Sequence, residues 1–195
     1  MMHTADMLKV FAPYREDAIV IPGRGGRYWT DLTSRPSLDV PLGDPAMGGH
    51  AGFALGVALA RPEKRVILFD SEGDILMSLG MLATIAEQRP ANFYHFLIDN
   101  GCYATTGGQP VPNADNIAYD VIARGAGYPH AFAFDELGQF STHLPEILGR
   151  LGPAFVALKV SAEIENAPIG RRRRWQTRTR DQVVKDLRGE LGLGA

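Results

Sequence analysis

Five short segments of the chain are apolar at odd and even positions alike: AIVI at 18–21, RVILF at 65–69, FYHFLI at 93–98, AFAF at 131–134 and AFVALKV at 154–160. A strand with one wetted face alternates polar and apolar residues, whereas a strand covered on both faces does not, so these runs predict strands sandwiched between helices. Between them the spacing turns helical, over 48–60, 74–88, 116–127 and 137–151, and Met7, Leu8 and Phe11 predict one face of a helix near the start. Strand and helix in alternation predict an α/β fold, a doubly wound, mainly parallel sheet with helices on both faces. No internal repeat appears. After Val160 the pattern lapses into the polar, basic SAEIENAPIGRRRRWQTRTR, followed by RDQVVKDLRGELG, a final helix or tail. The chain thus divides into a domain over 1–160 and a basic extension over 161–195, expected to be ordered only against a partner.

Composition narrows this picture. With 195 residues, 45% of them hydrophobic, there is material for one complete core and no room for a second large domain. A net charge of −2 gives no general attraction to nucleic acid or anionic membranes. The local exception is the run Arg171 to Arg174 with Trp175, which suits an RNA patch, a solvated tail or a subunit contact. The single cysteine, Cys102, excludes an internal disulfide and fits a reducing compartment. No apolar run reaches membrane-spanning length and the first residues lack a signal core, so the expected location is cytoplasmic.

The polar residues gather where such sheets bind ligands, beyond the carboxyl ends of the strands. DSEGD at 70–74 follows the second strand and DNGCYATTGG at 99–108 follows the third. Glu72 offers a carboxylate and Asn100 a side-chain carbonyl. Hard oxygens with few carboxylates suit Mg²⁺, which completes its octahedron with phosphates and water. PGRGGR at 22–27 could turn backbone N–H groups toward an anion. The three loops together predict a site for a metal-bridged diphosphate.

The segment MGGHAGFALGVALARPEKRVILF, the turn Ser71-Glu72-Gly73 and the pair Asp99-Asn100, with 28 positions from Glu72 to Asn100, resemble the diphosphate-binding domain of thiamin-diphosphate enzymes over about residues 15–160. LMSLGMLATIAEQ and DNGCYATTGGQP look closest to the small subunits of split 2-oxo acid decarboxylases acting on sulfopyruvate, and to phosphonopyruvate decarboxylases. The resemblance implies thiamin diphosphate and Mg²⁺ as cofactors, with Glu72, Asn100 and the Cys102 carbonyl as metal ligands. It implies cofactor contacts from Gly25, Gly26, Met47, Gly48, Gly49, Ser71, Gly73, Asp74, Tyr103, Ala104 and Thr105, Met47 being the apolar prop beneath the bent cofactor. His50 and Gln109 are the catalytic candidates, and Thr106, Gly107 and Gly108 could line the substrate side with Gln109. The activating glutamate belongs to a pyrimidine-binding domain that this chain has no room for. The implied protein is therefore the small subunit of a hetero-oligomeric decarboxylase of a small 2-oxo acid, with an alpha-type partner completing the site. A carboligase of the acetolactate synthase kind, or a non-catalytic regulatory subunit retaining the fold, are the alternatives.

Two departures from the family pattern stand out: the middle turn residue is Glu72 where Asp is usual, and Ser71 replaces the first glycine. Glutamate reaches one methylene further and can ligate Mg²⁺ only if the turn recedes. Asp74 adds an acid near the diphosphate unless it serves the helix N-terminus. Several residues carry a second reading: His50 as a packed histidine, Cys102 as a partly buried thiol, Arg24 as a solvated residue or an anion clamp, and Phe53 as core.

Overall fold

Val66, Ile67, Leu68 and Phe69 are each fully buried, the condition set by helices on both sides, and each such side chain contributes roughly 1.5–3 kcal/mol. The computed structural model describes residues 1–42, 47–165, 167–172 and 174–194. The strands are β1 (Ile19–Pro22), β2 (Val66–Ser71), β3 (Phe93–Asp99), the two-residue β4 (Cys102–Tyr103) and β5 (Gln109–Pro110), β6 (His130–Phe134) and β7 (Ala154–Lys159). Five of them form one sheet in the order β1-β2-β3-β7-β6, with every neighbouring pair parallel, while β4 and β5 pair antiparallel as a small separate ribbon. The expected doubly wound parallel sheet is therefore present.

Two apolar layers cover it. On one face lie α2 (His50–Ala60), α4 (Met81–Gln88) and α5 (Tyr119–Ala126), through Ala54, Leu55, Ile85 and Ala123. On the other lie α1 (Thr4–Phe11) and α6 (Leu137–Gly149), through Met7, Leu8, Phe11, Phe140 and Leu144. Phe11 meets Trp29, Phe69 and Phe96 edge-on, with ring centroids 5.1–5.8 Å apart, the favoured aromatic geometry.

The single helix expected over 74–88 is two. Helix α3 (Glu72–Met77) stops at Ser78, whose backbone leaves the helical region (φ −138°, ψ 42°), and α4 restarts at Met81. Apolar spacing runs across the break because Met77 and Leu79 are apolar yet exposed. Helix α2 begins at His50 rather than at residue 48, since Gly48 has a left-handed backbone (φ +75°). Phe53, read as core, is 39% exposed, because the buried face of α2 runs through Ala51, Ala54, Leu55 and Ala58 and leaves Phe53 off it.

The basic extension carries packed structure of its own. Its helix α7 (Arg180–Glu190) opens on a capping box between Thr179 and Gln182 and buries Val183. Arg178 donates to the Asp39 carbonyl and pairs with Asp186, and Glu190 accepts from Arg35 and Ser37. Of the arginine run, Arg172 donates to the Thr105 carbonyl at 2.8 Å, and Arg173 lies outside the described residues.

Candidate active site

The parallel register sets the ends of β1, β2, β3 and β7 side by side, and a cleft of about 240 Å³ opens beyond them. Glycines let the backbones close in. A Cβ on Gly25 would stand 2.7 Å from the Asp70 carbonyl oxygen and 2.9 Å from Ile98, so only glycine lets this loop lie against the ends of β2 and β3. Gly73 has the Tyr103 ring 3.0 Å from where its Cβ would be, which brings the α3 and β4 walls together.

Glu72 stands at the first position of α3, fully buried. Its Oε1 accepts from the Asn100 and Cys102 backbone N–H groups, each at 3.1 Å. Its Oε2 is buried without a hydrogen-bond partner. Burial, helped by the nearby Asp99 charge and opposed by those N–H groups, pushes the carboxyl up to about 7. A buried carboxylate with one open oxygen is what a divalent cation would complete. Asn100 Oδ1 accepts from Cys102 N–H at 2.9 Å and keeps a second lone pair. Glu72 and Asn100, expected together at neighbouring strand ends, and Cys102, added by the family resemblance, are thus brought together by the fold, and their donor set of hard oxygens fits Mg²⁺. The Cys102 thiol is partly exposed, and burial and the Glu72 charge push its pKa up.

Asp74 gathers the neighbouring turn. Its Oδ1 accepts from Gly48 N–H at 2.9 Å, its Oδ2 accepts from the Ser71 hydroxyl at 2.8 Å, and its own N–H donates to Ser71 Oγ at 3.3 Å. Ser71 is therefore the N-cap of α3, the service expected of Asp74. His50 Nδ1 lies 3.6 Å from Asp74 Oδ1. Burial would pull the imidazole down, but Asp74 outweighs it and raises it; burial likewise would raise Asp74, and the His50, Gly48 and Ser71 contacts hold it low.

Of the residues nominated from sequence, Gly25, Met47, Ser71, Gly73, Asp74, Asn100, Cys102, Tyr103, Ala104 and Thr105 line the cleft. Met47 is 53% exposed there, as a residue that props a ligand would be and a core residue would not. Gly26, Glu72 and His50 are buried behind the wall, and Gly48 and Gly49 lie outside the cleft lining. His50 is buried, which removes it from the reacting surface. Gln109 is not brought in either: it stands exposed on β5 beyond the left-handed turn of Gly107 and Gly108, its Oε1 accepting from Thr106 at 3.4 Å. Thr4, Arg27, Ser161 and Glu163 line the cleft without having been anticipated. Ser161 and Glu163 follow β7, and the rule that ligands sit beyond strand ends could have found them. Arg27 pairs with Glu163 at 3.0 Å, Tyr28 hydrogen-bonds the same carboxylate, and Trp175 packs edge-on against Tyr28. Arg24 Nη1 donates to Thr105 Oγ1 at 3.4 Å across the cleft.

Known proteins resemble this chain in sequence and fold. The chain is 32% identical over 171 residues to sulfopyruvate decarboxylase subunit beta of Methanothermobacter thermautotrophicus, covering 87% of this chain and 88% of that one. It is 33% identical over 158 residues to phosphonopyruvate decarboxylase of Streptomyces viridochromogenes, covering 80% of this chain but 39% of the longer protein. Benzoylformate decarboxylase from Polynucleobacter necessarius shares the fold at a TM-score of 0.70 and 14% identity, over 83% of this chain and 33% of its own. Among the described residues no helix is long and apolar enough to cross a membrane. Residues 27–158 match the thiamine pyrophosphate enzyme family, C-terminal TPP binding domain, and with two thirds of its length inside that match the chain belongs to this family.

Proposed function

We propose that the chain is the diphosphate-binding subunit of a cytoplasmic, thiamin-diphosphate- and Mg²⁺-dependent decarboxylase of a small 2-oxo acid. Its active site would be shared with a pyrimidine-binding partner subunit. The observation that carries this reading is the open, buried Oε2 of Glu72 beside Asn100 at the end of a parallel sheet, in a chain of this family. Thiamin diphosphate, when bound, supplies the electron sink that lets CO₂ leave a 2-oxo acid. Glu72 Oε2, Asn100 Oδ1 and the Cys102 carbonyl would hold Mg²⁺. Gly25, Ser71, Gly73, Ala104 and Thr105 would face the diphosphate, and Met47 would support the cofactor from below. Arg24, Thr105, Thr106 and Ser161 supply donors on the cleft wall, suited to an anion, and an oxyanion tail on the substrate agrees with the sulfonate and phosphonate in the relatives' names.

Decarboxylation is favoured over carboligation by those relatives, since acetolactate synthase isozyme 1 of Escherichia coli is 26% identical over 63% of the chain. The split site is supported by the name "subunit beta" for a relative matched over 88% of its length, and by Met47 and Met77, apolar, exposed and lining the cleft. The purified chain alone is expected to release no CO₂ from sulfopyruvate or phosphonopyruvate, and to do so once a pyrimidine-binding subunit from the same source is added. Turnover by the demonstrably pure chain would overturn the shared-site reading.

A further inference from the structure

At the cleft wall, three buried side chains that the proposed function does not use converge. His50 from the first turn of α2, Asp70 from the end of β2 and Asp74 from α3 are 2%, 1% and 3% exposed. One ligand atom from each, an imidazole nitrogen and two carboxylate oxygens, lies within 4.8 Å of the others. Buried carboxylates ordinarily meet a lysine or arginine, and Asp99 does so through Lys159 at 3.1 Å. Among the described residues Asp70 and Asp74 are paired with neither; their ion-pair contacts are to His95 and His50. Both ring nitrogens of His50 lack a hydrogen-bond partner, although buried imidazoles normally satisfy at least one.

We propose that His50, Asp70 and Asp74 form a second metal site, distinct from the Glu72–Asn100 site, that takes a first-row transition ion such as Zn²⁺ or Co²⁺. The donor set makes the distinction. Glu72, Asn100 and a carbonyl offer only oxygen, which suits Mg²⁺, whereas an imidazole nitrogen with two carboxylates favours Zn²⁺ and its neighbours. The carboxylates are held as metal-bound ones usually are, by outer hydrogen bonds that fix their orientation. Asp70 accepts from Ser71 N–H at 2.9 Å and from His95 at 3.1 Å, with the far nitrogen of His95 3.4 Å from the Tyr128 hydroxyl. Asp74 accepts from Gly48 N–H and the Ser71 hydroxyl. Bonds of about 2.0–2.2 Å at tetrahedral angles hold ligand atoms about 3.3–3.6 Å apart, so closure on an ion draws the longest of these contacts in by up to about 1.5 Å, within reach of small side-chain rotations. The 3.6 Å between His50 Nδ1 and Asp74 Oδ1 already matches that separation. Ser71 and Asp74 line the cleft, which gives an ion its way in. Once there it would join the start of α2 to the ends of β2 and α3 and offset two acids beneath the anion-binding wall.

The test uses the full chain without thiamin diphosphate, so that its outcome is independent of the cofactor site. Co²⁺ is titrated against the protein and its visible absorption followed, with bound metal counted by elemental analysis. One Co²⁺ per chain is expected in the wild type and in Glu72→Gln, with affinity reduced by at least about tenfold in His50→Ala and in Asp74→Asn. The isosteric Asp74→Asn decides the matter if far-UV circular dichroism shows His50→Ala unfolded. Absence of stoichiometric Co²⁺ binding, or binding lost in Glu72→Gln and kept in folded His50→Ala or Asp74→Asn, would overturn the proposal.

Discussion

Two buried charge clusters of this molecule are built to opposite plans. Under one edge of the sheet, Arg15 and Asp39 meet at 3.0 Å, 2% and 4% exposed. The Arg15 guanidinium also donates to the Ala18 and Arg35 carbonyls, and Asp39 Oδ1 accepts from the Trp29 indole as well. Opposite charges supplied by the chain itself balance there. At the carboxyl ends of β2 and β3, by contrast, Glu72, Asp70, Asp74 and Asp99 are all buried; Lys159 answers only Asp99, histidines meet Asp70 and Asp74, and among the described residues one Glu72 oxygen faces no donor. A fold that can pair its charges at one place and leaves a carboxylate open at another has left the second to be completed from outside. The first cluster holds structure, and the second is the one we propose to hold a ligand.

The comparison predicts its largest effect at the closed cluster. Asp39→Ala leaves the Arg15 guanidinium buried without its counter-charge and should cost about 3–5 kcal/mol of stability, read as a lowered midpoint of urea unfolding. The double variant Arg15→Met/Asp39→Leu should lose less than Asp39→Ala alone, because no buried charge remains to be compensated. A double variant as unstable as the single one would show that the pair acts through packing rather than charge.

How much of each cluster could be read from sequence follows from whether its parts are local. The strands were legible because burial on both faces writes itself into every residue of VILF and FYHFLI. Glu72 and Asn100 were legible because two strand ends one crossover apart must face the same cleft, so sequence spacing becomes spatial neighbourhood. Arg15, Trp29 and Asp39 lie on separate turns with no periodicity between them, and nothing local announces that they meet. The same holds for Thr4, which reaches the cleft from the start of the chain. The break at Ser78 was hidden because exposed Met77 and Leu79 imitate a buried stripe. Helix α7 read as a possible tail because a helix that buries one residue, Val183, carries almost no amphipathic signal.

The open cluster should respond in the reverse sense to the closed one. Glu72→Gln removes a buried carboxylate that nothing offsets, so the cofactor-free protein should be as stable as the wild type or more so. Mg²⁺-dependent binding of thiamin diphosphate should weaken by more than about 100-fold, close to 2.7 kcal/mol. Asn100→Ala should weaken binding in the same direction, having lost one of the hard oxygens. Calorimetric titration with the cofactor at fixed Mg²⁺, beside a thermal melt without it, separates the two effects. Unchanged affinity in both variants would remove the metal role from this turn, and a large loss of stability in Glu72→Gln would make Glu72 a structural residue like Asp39.

The smallest expected effect is the most diagnostic, because Glu72→Asp keeps the charge and restores the residue that the family resemblance makes usual. In this turn the length of the side chain is already in use: Oε1 reaches the Asn100 and Cys102 N–H groups at 3.1 Å each, and that grip fixes where Oε2 points. Removing a methylene withdraws the carboxylate by about 1.5 Å, one carbon–carbon bond. The shorter side chain can then keep its grip on the 100–102 turn or reach the ion, and Mg²⁺ tolerates little departure from its short, near-octahedral bonds. Affinity for thiamin diphosphate at fixed Mg²⁺ should therefore fall by about tenfold, some 1.4 kcal/mol, with the partner subunit present to complete the site. Tighter binding by the Asp variant would mean that the backbone here keeps the family's ordinary position and that Glu72 is a compromised ligand. The open oxygen would then mark a weakened site, and the regulatory-subunit reading would gain over the catalytic one.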